Sequence, residues 1–76
     1  MTLREIEIGK KAIITAVGGE GAFRNRLLDM GLIPRTEIMK IKVAPTGDPI
    51  QISVRGYELT LRNEDAGFID VEEKDK

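Results

Sequence analysis

Apolar and polar residues alternate in four short runs in the second half of the chain. They are Glu37–Val43 (EIMKIKV), residues 49–55 (PIQISVR), residues 57–62 (YELTLR) and residues 68–71 (FIDV). Successive side chains on a strand point to opposite faces, so each run predicts a strand with one apolar face. The inward sets are Met39, Ile41 and Val43, then Ile50, Ile52 and Val54, then Tyr57, Leu59 and Leu61. Lys40 and Lys42 fall on the outward face of the first of these runs. A fifth strand is predicted at Lys11–Val17 (KAIITAV), whose β-branched residues suit burial on both faces for part of its length.

Between the first two strands the period changes. Phe23, Leu27 and Met30 fall at i, i+4 and i+7 with Leu28 beside them, which predicts a helix over residues 22–30. Gly31 stands where a helix ends in a left-handed residue, Leu32 can fold back on the last turn, and Pro34 prevents continuation. Gly56 marks a tight hairpin. Residues 45–49 (PTGDP) read as a turn in which Asp48 fixes the loop by accepting nearby backbone N–H groups. Asn63 can cap a single turn over residues 63–66, stopped by Gly67. The result is a mainly β domain: a small SH3-like five-stranded barrel, one short helix between its first two strands, a helical turn before its last, and few charges inside.

Seventy-six residues make one domain, spanning 1–76. Four of the thirteen acids crowd into residues 70–76, so residues 72–76 read as a frayed acidic tail. The net charge of −1 and three aromatic residues make a poor nucleic-acid platform. Without histidine or cysteine the chain lacks the commonest general base and the soft metal ligands. The pairs Glu64/Asp65 and Glu72/Glu73 offer only hard oxygen donors, and adjacent carboxylates rarely converge on one ion, so weak divalent binding is the most they allow. Ser53, Thr15 and Thr60 have no base partner, which leaves nucleophilic catalysis without support. No apolar run approaches the roughly 20 residues of a membrane span, and the expectation is a cytoplasmic, non-enzymatic protein with no cofactor and no membrane insertion.

The segment Arg26-Leu27-Leu28-Asp29-Met30-Gly31-Leu32 with Pro34, followed by residues 44–50 (APTGDPI), 54–56 (VRG), 59–62 (LTLR) and 66–71 (AGFIDV), resembles the ferrous iron transport A (FeoA) family in order and spacing. The resemblance covers nearly the whole chain. It implies an SH3-like cytoplasmic protein that assists FeoB, a membrane ferrous iron transporter with a GTPase domain. It also implies kinship with the C-terminal domain of metal-dependent repressors, so that a regulatory module acting with such a repressor is the alternative. One departure stands out: Arg35 follows Pro34 where the family often has glycine.

Part of the helix face either packs on the barrel or, with Leu32 and Ile33, lines an apolar groove for an extended peptide. Leu27 and Leu28 point about 100° apart, and Leu28 is assigned to the groove with Arg24 at its rim. The predicted docking surface is that of the helix and the second strand, Glu37–Val43, with Arg24, Leu28, Met30, Leu32 and Pro34 for apolar docking and Arg26 and Arg35 supplying charge. Lys40 and Lys42 would extend the same positive side.

Overall fold

In the computed structural model, which describes residues 1–74, five strands form one antiparallel sheet in the order β4-β3-β2-β1-β5. The strands are β1 (Lys11–Val17), β2 (Glu37–Val43), β3 (Ile50–Val54), β4 (Tyr57–Leu61) and β5 (Ile69–Glu73). Helix α1 (Gly21–Asp29) joins β1 to β2, the single turn α2 (Asn63–Ala66) joins β4 to β5, and a 3₁₀ turn (Leu3–Glu5) precedes β1. This is the SH3-like arrangement that the alternating runs predict.

Two bulges bend the sheet. The β1–β5 register slips between Ile14 and Ala16, and the β2–β3 register slips between Lys40 and Lys42. An inserted residue kinks its strand and increases the local twist, so the sheet wraps round one core. That core holds Leu3, Ile14, Leu27, Leu32, Ile38, Ile50, Ile52, Val54 and Ile69, all fully buried. The inward set of β3 is as predicted. β1 is more one-sided than predicted: Ala12, Ile14 and Val17 are buried, Ile13 is half-buried, and Thr15 and Ala16 are exposed.

The second bulge overturns the predicted phase of β2. Ile38 and Lys40 face inward, opposite Val54 and Ile52. Ile41 is the extra residue, and Val43 returns opposite Ile50. A one-residue insertion exchanges the two faces of a strand, and simple alternation cannot locate it. Lys40 is consequently a buried charge, 6% exposed. Its Nζ donates to the carbonyls of Ile6 (2.7 Å) and Arg4 (3.1 Å), while its own carbonyl accepts from the Gly9 N–H. The ammonium thus holds the N-terminal segment against the barrel, and loss of hydration pushes its pKa below the ordinary lysine value.

The acidic end is ordered further than predicted. Glu72 and Glu73 lie in β5 opposite Ile13 and Ala12, and the Lys74 N–H reaches the Lys11 carbonyl at 2.9 Å. An edge strand can keep its backbone paired while its outward side chains are charged, so a run of acids does not by itself signal fraying. Asp75 and Lys76, the remainder of the predicted tail, lie outside the described residues.

Candidate functional site

The helix end builds the first half of the surface. Met30 is the C-cap of α1, and Gly31 follows at φ +101°. The Gly31 N–H donates to Leu28 O at 3.0 Å and the Leu32 N–H to Leu27 O at 3.2 Å, the paired closure of a Schellman motif. Leu27 and Leu32 are both fully buried, so Leu32 belongs to the core and offers nothing to a partner, contrary to its place in the predicted docking set. Leu28 and Met30 are half-buried against the core, whereas Ile33, Pro34 and Arg35 are exposed.

Tyr57 joins this end of the helix to the β3–β4 hairpin. Its hydroxyl donates to the Met30 carbonyl at 2.6 Å, and a Cβ on Gly31 would overlap that hydroxyl. The ring remains 45% exposed, so Tyr57 is a surface residue here and not the inward residue that the alternation of its strand predicts.

The two helix arginines are occupied elsewhere. Arg24 Nε donates to Val17 O at 3.0 Å, which locks the end of β1 to the helix. Arg26 pairs with the buried carboxylate of Asp65 at 3.5 Å and stacks over Phe23, 5.7 Å from the ring centroid. Phe23 in turn meets Phe68 edge-on at 5.1 Å. These contacts fasten α1 to α2 and the start of β5. Arg24 and Arg26 are structural fasteners more than free charges.

Arg35 stands apart. Its backbone is left-handed (φ +76°), held by its N–H donating to Ile14 O at 2.7 Å. A glycine, which the resemblance leads one to expect here, would take this conformation without strain. Arg55 is the second non-glycine residue in that region (φ +49°), and with Gly56 (φ +87°) it forms the two-residue turn between β3 and β4. Both arginines line one concavity of about 490 Å³, together with Lys11, Thr36, Glu37 and Ser53. Arg55 Nη2 lies 3.4 Å from Thr36 Oγ1. Glu37, the one acid lining this wall among the described residues, is held by Lys74 at 2.6 Å and lies 3.9 Å from Lys11. The Lys74 hydrogen bond keeps its carboxyl below the usual glutamate range. Arg55 and Tyr57 are absent from the predicted set. The sequence signal for Arg55 is the Arg-Gly pair at a tight hairpin, where a positive φ is needed at both positions.

The remaining candidates are structural. Asp48 Oδ1 accepts the Asn63 N–H at 2.8 Å, so it caps α2 from a distant loop; the predicted local loop contact and the Asn63 side-chain cap are both replaced by this one bond. Among the described residues there is no cluster of three or more His, Cys, Asp or Glu side chains, and no helix is long and apolar enough to cross a membrane.

The fold and this surface define a small SH3-like β domain with an apolar helix end, an aromatic ring and a basic hollow among its exposed features. The chain belongs to the FeoA family: the FeoA domain model matches residues 1–73. It is 40% identical over 72 residues to an Fe(2+) transport protein A/Fe(2+) transporter FeoB fusion protein of Porphyromonas gingivalis, covering 95% of this chain but only 8% of that protein. The FeoA-like protein of Clostridium acetobutylicum superposes with a TM-score of 0.91 at 38% identity, over all of this chain and 88% of the other. The manganese regulator SloR superposes at 0.81 with 16% identity, over 96% of this chain and 34% of that one, which shows a shared fold alone.

Proposed function

We propose that this chain is a non-enzymatic, cytoplasmic accessory of ferrous iron uptake that docks on a FeoB-like membrane transporter through the surface formed by the end of α1 and the β3–β4 hairpin. The observation that carries this reading is the Porphyromonas gingivalis relative, in which the matching segment shares one polypeptide with a FeoB transporter. Fusion of two modules keeps each at high effective concentration for the other, which is useful when they work in contact. Leu28, Met30, Ile33, Pro34 and Tyr57 supply the apolar part and Arg35 the charge; Leu32 is withdrawn because it is buried. In this reading the domain carries no metal of its own. It acts by binding one conformational state of the transporter more tightly than another. The repressor-partner alternative has only a shared fold in its favour.

The test is titration of isotope-labelled chain with the transporter's cytoplasmic GTPase domain, with and without nucleotide. Amides of Met30, Gly31, Leu32, Ile33, Arg35, Gly56 and Tyr57 are expected to shift, with different affinities in the two nucleotide states. Ile33→Glu, an exposed position whose change spares the core, is expected to abolish the shifts while leaving the rest of the spectrum in place. Full binding by that variant, or shifts confined to another face, refutes the assignment of the surface.

A further inference from the structure

The helix arginines of the predicted docking set are engaged within the fold, yet Arg35 and Arg55 make no ion pair among the described residues. They come from chain segments far apart in sequence and line the same hollow. Each holds a left-handed backbone that disfavours side chains with a Cβ. Such strain persists only where the surrounding structure imposes it, and glycine would remove it. Two strained cationic residues therefore meet at one hollow. Its floor carries the half-buried Met39 and Ser53, and Glu37, its single carboxylate among the described residues, is already neutralised by Lys74.

We infer that this hollow is a recognition site for an acidic peptide segment, with the Arg35 and Arg55 guanidinium groups receiving its carboxylates and the Met39 floor its aliphatic stems. The inference rests on the docking reading above and specifies the chemistry of the partner's contacting segment. Charge complementarity selects this occupant. Among the described residues Lys11, Arg35 and Arg55 line the hollow with one acid, Glu37, which Lys74 already pairs, so the wall is basic in a chain whose overall net charge is −1. Guanidinium forks match carboxylates in a bidentate geometry. A nucleic-acid strand is the poorer fit, because it needs aromatic faces on which bases stack and no aromatic side chain lines the hollow.

Labelled chain is titrated at low salt with capped hexaglutamate, hexaglutamine and hexathymidylate. Hexaglutamate is expected to shift the amides of Arg35, Thr36, Arg55 and Gly56, and hexaglutamine to shift none. Arg35→Gly combined with Arg55→Asn preserves both positive φ angles and removes both charges. Affinity for hexaglutamate should fall at least about tenfold, as loss of a charge-assisted hydrogen bond implies, while the melting midpoint rises. Lysine at both positions should restore part of the binding. Hexathymidylate shifting the same amides more strongly than hexaglutamate, peptide shifts on another face, or undiminished peptide binding by the double variant each overturns the inference. The double variant is also titrated with the transporter domain. Binding there equal to that of the unaltered chain separates the two ideas: the docking reading survives and the acidic-segment contact does not. If the unaltered chain binds hexaglutamate but not the transporter domain, the docking reading alone fails.

Discussion

Replacing Lys40 probes the interior most directly. The side chain runs through the core from β2 and ends on two backbone carbonyls of the N-terminal segment. Lys40→Ala removes three methylenes, about 2.4 kcal/mol at roughly 0.8 each. It also leaves the Ile6 carbonyl, and in part the Arg4 carbonyl, without a donor, at about 1–3 kcal/mol for a buried group. Relief of the desolvated charge and regained side-chain freedom offset about half of this, so the net loss should be about 2–3 kcal/mol. Lys40→Met keeps the apolar volume and loses only the donors and the charge; it should cost about 1 kcal/mol. Against a total of roughly 4–11 kcal/mol for a chain of this length, the alanine change is severe and the methionine change mild. Urea unfolding followed by far-ultraviolet circular dichroism gives both values. A pH series adds a sign. Burial lowers the folded-state pKa of Lys40, so between that value and the unfolded value the unfolded chain binds more protons, and stability rises with pH through this window. Below it the desolvation cost is fully felt. Lys40→Met should lack this rise, and the difference between the two slopes isolates Lys40 from the other lysines. Equal slopes, or methionine costing more than alanine, would refute the view of Lys40 as a buried, hydration-starved strut.

Two further substitutions test the joints around the surface. Gly31→Ala should destabilise by about 2 kcal/mol or more, since it forces a Cβ into a left-handed residue and against the Tyr57 hydroxyl; a second change, Tyr57→Phe, should recover part of that loss in the same thermal melt. Asp48→Ala should cost about 1 kcal/mol by uncapping α2 and should speed amide exchange at Asn63 before any other position in that turn, a result that exchange followed by magnetic resonance either gives or denies.

The strands were legible because alternation needs only one dry face. β1 and β2 fall at the predicted residues, and α1 begins and ends one residue earlier than predicted. The facing of β2 was not legible. Met39, Ile41 and Val43 form a convincing apolar set, but a bulge at Ile41 reverses the strand's phase, and the bulge is fixed by pairing with β3, which no local pattern encodes. The same non-local logic hides the site. The fold-back of Leu32 on the helix end was legible, but its assignment to a surface groove beside Ile33 was not right: the Schellman closure carries it fully into the core. Arg24 and Arg26 looked free because their acceptors, the Val17 carbonyl and the Asp65 carboxylate, come from other elements. Tyr57 looked internal because it shares a parity with Leu59 and Leu61, but at the mouth of the hairpin that parity leads to solvent.

Under the proposed docking, the bond from the Tyr57 hydroxyl to Met30 has a kinetic meaning. It ties together two pieces of chain that a partner would otherwise have to bring into line, so the entropy of arranging them is spent during folding and not during the encounter. A contact patch set in advance approaches its target as a rigid body, and differences in how long complexes last then come mainly from the rate at which they fall apart. Cutting that single tether should therefore slow capture as well as hasten escape, a double signature that loss of an ordinary contact residue would not produce.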